Sequence, residues 1–448
     1  MLDRSPEHTP AHGLVHLGEP CTPQEKTDVK ALVAVEARFA RTPDGAIWTR
    51  EGPAYGFFTR YLSAFDEVLV LARVADVASV APNSHRVDGH RVTVRPVPHY
   101  LGPWQYLRRR RAVVRALRAA DDPHAVLILR APTVLGSLLA TTRDRSGLPY
   151  AVEVMADPFT VYAPGVVNHP LRPLLRRRYT NMLRRQCRAA TGVSYVTERY
   201  LQLRYPPGAH AVTAAYSSVE MPPDAYVAAP PLPRHRDEYV IVSVGSLEML
   251  YKGIDTLIRA LSQLLSAGLP VRCVHIGTGR QQAYLERLAT QLGVRDKIEF
   301  LGSVPAGEQV RQHVDAADVF AMPSRTEGLP KALVEAMARG LPAIGSSVGG
   351  IPELLAEEDI VPPDDPAALA DAIGRLLNDP ARRAQASARN LARARDFSQA
   401  TLERRRNDFY RAVREAAAQQ DCETERILHQ RSRRDGSAST ALEGEAVR

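Results

Sequence analysis

The chain is short of cysteine, short of aromatic residues and without any long apolar run, and each shortage excludes something. Its four cysteines, at 21, 187, 273 and 422, share no short spacing, so they suggest neither a zinc site nor a disulfide framework. A reducing cytoplasm is the compartment expected of such a chain. No apolar stretch approaches the ~20 residues needed to span a bilayer. The amino terminus carries Asp3 and Glu7 where a secretory signal needs positive charge. The expectation is a protein that is neither secreted nor membrane-spanning. Internal repeats are absent, and no Asp-x-Asp pair suited to a divalent ion stands near the most informative segment, so no metal and no cofactor are expected.

With 448 residues, 45% of them apolar, the chain is long enough for two to three ordinary globular domains. The first 28 residues are polar and are expected to be disordered. Residues 29–221 alternate strands and helices, with strand candidates at Ala31–Val35, Val68–Leu71, Arg91–Val94, Ala125–Leu129 and Tyr150–Val154. Residues 222–237, with prolines at 222, 223, 230, 231 and 233, read as a linker. A second alternating set follows over 238–385, then helices over 386–419, with the last expected over Ser398–Ala418, and a polar tail over 420–448 expected to be flexible. Such alternation predicts an α/β protein of two doubly wound parallel sheets.

The densest information lies between Pro323 and Leu355. Asp318–Met322 is a short apolar run ended by Pro323, as expected of a buried parallel strand, and Pro330 suits the start of the next helix. Gly340 ends that helix and Pro342 forbids its continuation. Glu327 and Glu335 stand with seven residues between them, one on the loop and one on the helix it opens. The glycine-rich turn Gly345–Gly350 then exposes backbone N–H groups that can take a phosphate. Two carboxylates beside an anion cradle at strand carboxyl ends suit a nucleotide-linked sugar.

This segment resembles the Glu-x7-Glu signature of retaining glycosyltransferases of the GT-B fold, in particular glycosyltransferase family 4. The likeness extends upstream through Val242–Leu257, Val274–Gly279 and Ile298–Pro305. It implies two Rossmann-like domains facing a central cleft, the second binding a nucleoside diphosphate sugar. Lys252 is then expected to neutralise the diphosphate, Glu327 to reach the transferred sugar with the amides of Gly328 and Leu329, and Glu335 to accept from ribose hydroxyls. Gly245, Ser246 and Gly277 are expected to line the donor site, with backbone around Val304, between Gly302 and Pro305, reading the base. The implied reaction is metal-independent transfer with retention, with Lys252 and Glu327 as the catalytic candidates. Where the family usually has arginine this chain has Ser246, which supplies a hydroxyl but no charge. Arg325, Arg280 or an arginine of the first domain is the expected substitute, and Ser324 is expected either to cap its turn or to contact the donor.

The first domain resembles the family in outline only. Its candidates for acceptor or sugar contact are Gly56, Arg130, Glu153 and Asp157. Each has a structural alternative: a turn glycine, a surface arginine, and acids that shape the backbone. Arg108–Arg111, Arg115 and Arg118 share one helix without an acid, and Pro158–Thr197 holds seven arginines and no carboxylate. Beside Leu107, Val113, Val114 and Leu117, that first helix suits an anionic membrane surface; a solvated basic face is the alternative. No binding motif points to nucleic acid. The expected partners are thus a nucleotide-sugar donor, a glycan or lipid-linked acceptor, and the inner membrane face. An epimerase or phosphorylase of similar architecture, and an inactive nucleotide-sugar-binding protein, remain as alternatives.

Overall fold

In the computed structural model the described residues are 29–419, apart from 164, 165, 167, 168, 220 and 234. The expected amino-terminal disorder and the expected flexible tail lie outside them. The first domain contains β1 (Lys30–Arg41), β2 (Ile47–Thr49), α1 (Tyr55–Phe58), β3 (Glu67–Asp76), β4 (His85–Arg86), β5 (Val92–Pro98), α2 (Gly102–Ala120) and β6 (Val126–Ala131). It continues with α3 (Val134–Ser146), β7 (Tyr150–Val154), α4 (Pro158–Val161), α5 (Arg172–Ala189), β8 (Gly192–Tyr195), α6 (Tyr200–Arg204) and β9 (Val212–Ala215). The second contains β10 (Tyr239–Val244), α7 (Ile254–Ser266), β11 (Val271–Ile276), α8 (Gln282–Gln291), β12 (Ile298–Gly302), α9 (Glu308–Asp315) and β13 (Val319–Met322). After these come α10 (Lys331–Ala338), β14 (Ala343–Ser346), α11 (Ile351–Leu354), β15 (Ile360–Val361), α12 (Pro366–Asn378) and α13 (Pro380–Ala394).

The second sheet is wholly parallel, in the order β12-β11-β10-β13-β14-β15. Its central strands are buried along nearly their whole length, and mostly apolar, because helices cover both faces. The strand order reverses between β10 and β13, and loops leaving such a point diverge to open a crevice at the carboxyl edge. In the first sheet the parallel part runs β5-β3-β1-β6-β7-β8-β9, with β2 and β4 added antiparallel beside the far end of β1. Both sheets are therefore Rossmann-like and doubly wound. Five strands escaped the sequence reading: β2, β4, β8, β9 and β15 are two to four residues each, and β9 has no fully buried position. Helix starts follow local chemistry: Thr133, Asp365 and Asp379 cap α3, α12 and α13 through side-chain oxygens, the last two ahead of proline.

The proline-bearing linker does not hang free. Val227 N–H donates to Ala338 O, the Tyr226 hydroxyl donates to Ala394 O, and Pro231 packs on Gly340. Residues 399–417 are helical and return to the first domain, where Tyr410 stacks on Tyr61 with ring centroids 4.7 Å apart. Two domain contacts lie on the carboxyl edges. Thr326 and Thr160 hydroxyls meet at 2.8 Å, and the Glu353 carboxylate accepts the N–H groups of Glu198, Arg199 and Tyr200 at 2.6, 3.0 and 2.6 Å.

Two first-domain acids read as cleft candidates are instead interior ties. Glu153 is 2% exposed. Its carboxylate accepts the hydroxyls of Tyr61, Tyr216 and Tyr410 at 2.8–2.9 Å and pairs with Arg130 at 3.1 Å. Asp157 is 1% exposed, caps α4 through Phe159 N–H, accepts from Tyr200 and Tyr205, and pairs with Arg204. Neither carboxylate has a face left for a ligand. Arg130 is likewise held between Glu153 and the Phe57 ring. The apolar residues of α2 also divide: Val113 and Leu117 are buried against the sheet, so of those named for lipid contact only Leu107 is markedly exposed.

Burial alone would raise the Glu153 carboxyl, but the Arg130 charge and the Tyr216 and Tyr410 hydroxyls outweigh it and hold the group below its ordinary value. Its contribution to stability is therefore intact above pH ~4.5 and is lost as pH falls below that. Glu153→Gln strands Arg130 and should cost ~3–5 kcal/mol in denaturant melts. Adding Arg130→Met should recover much of the loss; no recovery would show that the pair is not the tie.

Candidate functional site

The site grows from the two loops that leave β10 and β13. After β10 the chain turns at Gly245, passes Ser246 and closes a helical turn at Lys252, and Gly253 follows with φ +69°. A Cβ on Gly253 would lie 1.9 Å from Pro323 O, so this loop and the β13 loop touch backbone to backbone. Gly277, with φ +142°, is required for the same reason, since a Cβ there would lie 1.9 Å from Gly245 O. A Cβ on Gly349 would lie 2.2 Å from Glu327 O. Glycine at these three positions lets four strand ends, those of β10, β11, β13 and β14, converge.

Within that convergence Lys252 Nζ donates to Glu327 Oε1 at 2.7 Å, and both side chains are mostly buried. Ser324 Oγ donates to the same Oε1 at 2.7 Å, and Ser346 Oγ donates to Ser324 O at 2.5 Å. Glu327 Oε2 makes no hydrogen bond among the described residues. The loop beyond Glu327 presses on the first domain: a Cβ on Gly328 would come within 2.9 Å of Met155 O, and Leu329 packs against core residues of both domains. Glu335, one turn into α10, is a third exposed and pairs with Lys331 at 3.5 Å. Burial raises its carboxyl above the ordinary value against the pull of Lys331.

Other sequence candidates have different places. Arg325 is not a free cation: its fork binds Asp255 twice, at 2.8–2.9 Å, and its remaining N–H groups go to Asp364 and Leu250 O. Ser246 is exposed and its hydroxyl accepts Glu248 N–H. Arg280 is 86% exposed beside Glu248 at 3.2 Å. Val304 is half-buried beyond β12, and Gly277 N–H donates to Gly302 O. Gly56 lies in α1 with open space where a Cβ would sit.

Two residues, Ser346 and His275, were missed, and Ser324, expected as a turn cap or a donor contact, instead bonds to Glu327. Ser324 and Ser346 orient Glu327 and its loop, and the only trace of this was the spacing Ser324-x-x-Glu327. His275, fully buried on β11, bonds through Nε2 to Gly245 O at 3.0 Å and leaves Nδ1 without a partner. Burial pulls its pKa down to about 4, so the neutral ring donates to that carbonyl at ordinary pH. A histidine inside an apolar strand pattern, Val274-His-Ile276, was the available sign.

Residues 229–393 match the model of the family "Glycosyl transferases group 1". The chain is 24% identical over 335 residues to "Protein CapJ" of Staphylococcus aureus, covering 73% of this chain and 81% of that protein. It is 34% identical over 165 residues to a GDP-mannose-dependent monoacylated alpha-(1-6)-phosphatidylinositol monomannoside mannosyltransferase of Corynebacterium glutamicum, covering 35% of this chain and 42% of that protein. CapJ apart, the chain spans less than half the length of seven further curated relatives that it matches, that mannosyltransferase among them. The structure superposes on Anabaena Alr3699/HepE, solved in complex with UDP and glucose, with TM-score 0.58 and 18% identity, over 84% of this chain and 97% of that one. The fold is thus GT-B, and the domain match and relatives support a GT-B glycosyltransferase.

Gly277→Ala should destabilise the protein by more than ~2 kcal/mol in denaturant titration, because the new Cβ meets a backbone carbonyl. Gly56→Ala should be neutral or stabilising by ~0.5–1 kcal/mol. Equal effects would mean that the convergence at Gly245 is not tight.

Proposed function

We propose that this protein is a retaining, metal-independent glycosyltransferase that moves a sugar from a nucleoside diphosphate donor to an acceptor hydroxyl. In this reading it works at the inner membrane face, in the synthesis of a cell-surface polysaccharide or glycolipid. The observation that carries the reading is the Lys252–Glu327 contact within a ring of close-packed glycine turns. Breaking a bond from sugar to phosphate leaves negative charge on the departing diphosphate, and a fixed ammonium with backbone amides is what lowers that barrier without a metal. An incoming diphosphate competes with Glu327 for Nζ. The released carboxylate, still oriented by Ser324, then accepts from hydroxyls of the transferred sugar.

Glu335, lifted by burial, is the expected acceptor for ribose hydroxyls, since bonding to a diol offsets its lost hydration. The amides of Ser246, Gly328 and Leu329 complete the donor contacts; Gly245 and Gly277, whose own N–H groups go to Ile276 O and Gly302 O, serve by letting backbone come close, with backbone at Val304 facing the base. With Arg325 tied to Asp255, the second phosphate cation would be Arg280. Retention follows if attack comes from the leaving-group side: the acceptor hydroxyl bonds to the anomeric carbon as the phosphate departs, and the phosphate oxygen takes the hydroxyl proton. No carboxylate is then needed as nucleophile, and the released Glu327 is left to bind the sugar. The UDP and glucose in HepE and the lipid acceptor in the mannosyltransferase's name agree with this donor and acceptor class.

Release of nucleoside diphosphate from a panel of UDP-, GDP- and ADP-sugars, only when an acceptor is present, tests the reading. Release without acceptor, or none from any donor, would count against it. Lys252→Ala should lower kcat ~10²–10³-fold with less change in KM. Glu335→Ala should weaken donor binding ~tenfold by calorimetry. Turnover should survive chelator; its loss would overturn metal independence.

A further inference from the structure

The first sheet runs on beyond the point where β1 leaves its neighbour β6. β1 pairs with β6 only over Ala31–Ala34. It then shifts register and continues beside β3 as far as Arg41, with β2 pairing along its last residues. This extension walls a groove of about 700 Å³ on the carboxyl edge of the sheet. Arg38, Arg50 and His99 supply its basic lining beside two acids, Thr49, Ser79 and Ser84 add hydroxyls, and Trp48 and Leu101 supply apolar surface.

The charges in the groove are not balanced. Of the acids, Glu36 is already spent: its carboxylate accepts Val134 and Leu135 N–H at 3.1 and 3.2 Å and the Tyr100 hydroxyl at 2.8 Å, and it faces Arg73 at 3.4 Å. That carboxylate also fills the amino end of α3, so an anion in the groove has to be met by side chains. Glu51 is exposed. Arg38 and Arg50 are exposed too, and among the described residues neither makes a hydrogen bond or ion pair. Burial and the charges of Arg73, Arg38 and Arg109 hold His99 below its usual value, so it is a neutral donor beside the two arginines.

Leu101, lining the groove and 48% exposed, leads directly into α2, whose first turns leave Trp104 and Leu107 78% and 58% exposed. Leu171 and Leu174, at the start of α5, are 56% and 62% exposed. Both helices begin at the same sheet edge as the groove, and the rest of α2 presents exposed arginines. Large apolar side chains clustered within a basic surface mark an interaction site, and one whose charge complements anionic lipid.

We infer that this groove is the acceptor site, and that the acceptor is an anionic amphiphile. Its phosphate or phosphodiester lies between Arg38 and Arg50, and its hydrocarbon leaves over Leu101, Trp104 and Leu107 toward the bilayer. The word acceptor rests on the transferase reading above; the binding itself does not. Arg38 and Arg50 supply charge and paired N–H donors to the phosphate oxygens, and the tail adds affinity that a bare anion cannot have.

The chain has two tryptophans, Trp48 and Trp104, and both lie at this site, so emission reads it directly. The full chain is titrated with dodecyl phosphate, inorganic phosphate and dodecyl maltoside. Dodecyl phosphate should shift the emission to the blue and saturate, and in Trp104→Tyr the remaining Trp48 should still respond. Arg38→Ala with Arg50→Ala should raise its Kd about tenfold or more, while the paired lysine substitutions stay within about threefold. Inorganic phosphate should bind at least about a hundredfold more weakly. An alanine pair that melts like the parent and binds dodecyl phosphate as tightly would overturn the proposal. So would equal affinity for dodecyl maltoside; equal affinity for inorganic phosphate would point to a soluble phosphorylated acceptor and remove the lipid. The titration needs no donor and no turnover. Binding as expected without transfer leaves a lipid-anion site and removes only the transferase reading, whereas transfer with a flat titration removes the groove alone.

Discussion

One ammonium and one carboxylate, 75 residues apart in the chain, meet at 2.7 Å where two loops of the second sheet converge. The meeting is a constraint on the backbone before it is a constraint on chemistry. It requires the β10 loop, the β11 end, the β13 loop and the β14 loop to approach within distances that no side chain tolerates, which is why Gly253, Gly277 and Gly349 stand where they do. His275 adds a donor from below, holding the Gly245 carbonyl over which the Lys252 stem passes. A charge placed this way is preorganised: it does not have to be gathered when a ligand arrives.

The first domain has its own knot, of a different kind. Glu153 gathers three tyrosines and an arginine from four parts of the chain, one of them the carboxyl-terminal helix. A buried charge so fully satisfied fixes how these elements meet, since moving any partner leaves a polar group unpaired. Asp157 does the same beneath α4 and α6. Both acids are buried and fully partnered, and the contacts with the second domain fall instead to the Met155 carbonyl, the Thr160 hydroxyl and the N–H groups of residues 198–200.

Much of the second domain was legible from the chain. Apolar strands ending in glycine, helices opened by proline and closed by glycine, and the spacing of Glu327 and Glu335 each have a local cause, so short stretches suffice to read them. The first domain was less legible. Glu153 and Asp157 follow a strand end as ligand contacts do, and nothing local distinguishes an acid with three tyrosine partners from one facing a cleft. Arg325 was open to the same misreading, because Asp255 and Asp364 are distant in sequence. The α2 apolar set was split by helix rotation, which composition does not report.

The sequence by itself determined the two alternating sheets, the glycine turns at the strand ends and the kinds of groups gathered at the second sheet's edge, because these follow from periodicity, backbone freedom and side-chain chemistry within short windows. Only the tertiary structure decided which charges are already paired and which are left open. Lys252 with Glu327, Arg325 with Asp255, Glu153 with its tyrosines, and Arg38 and Arg50 left without a partner among the described residues are all outcomes of long-range approach. Pairing depends on distances of a few ångströms between segments far apart in the chain, and those distances exist only once both sheets have packed.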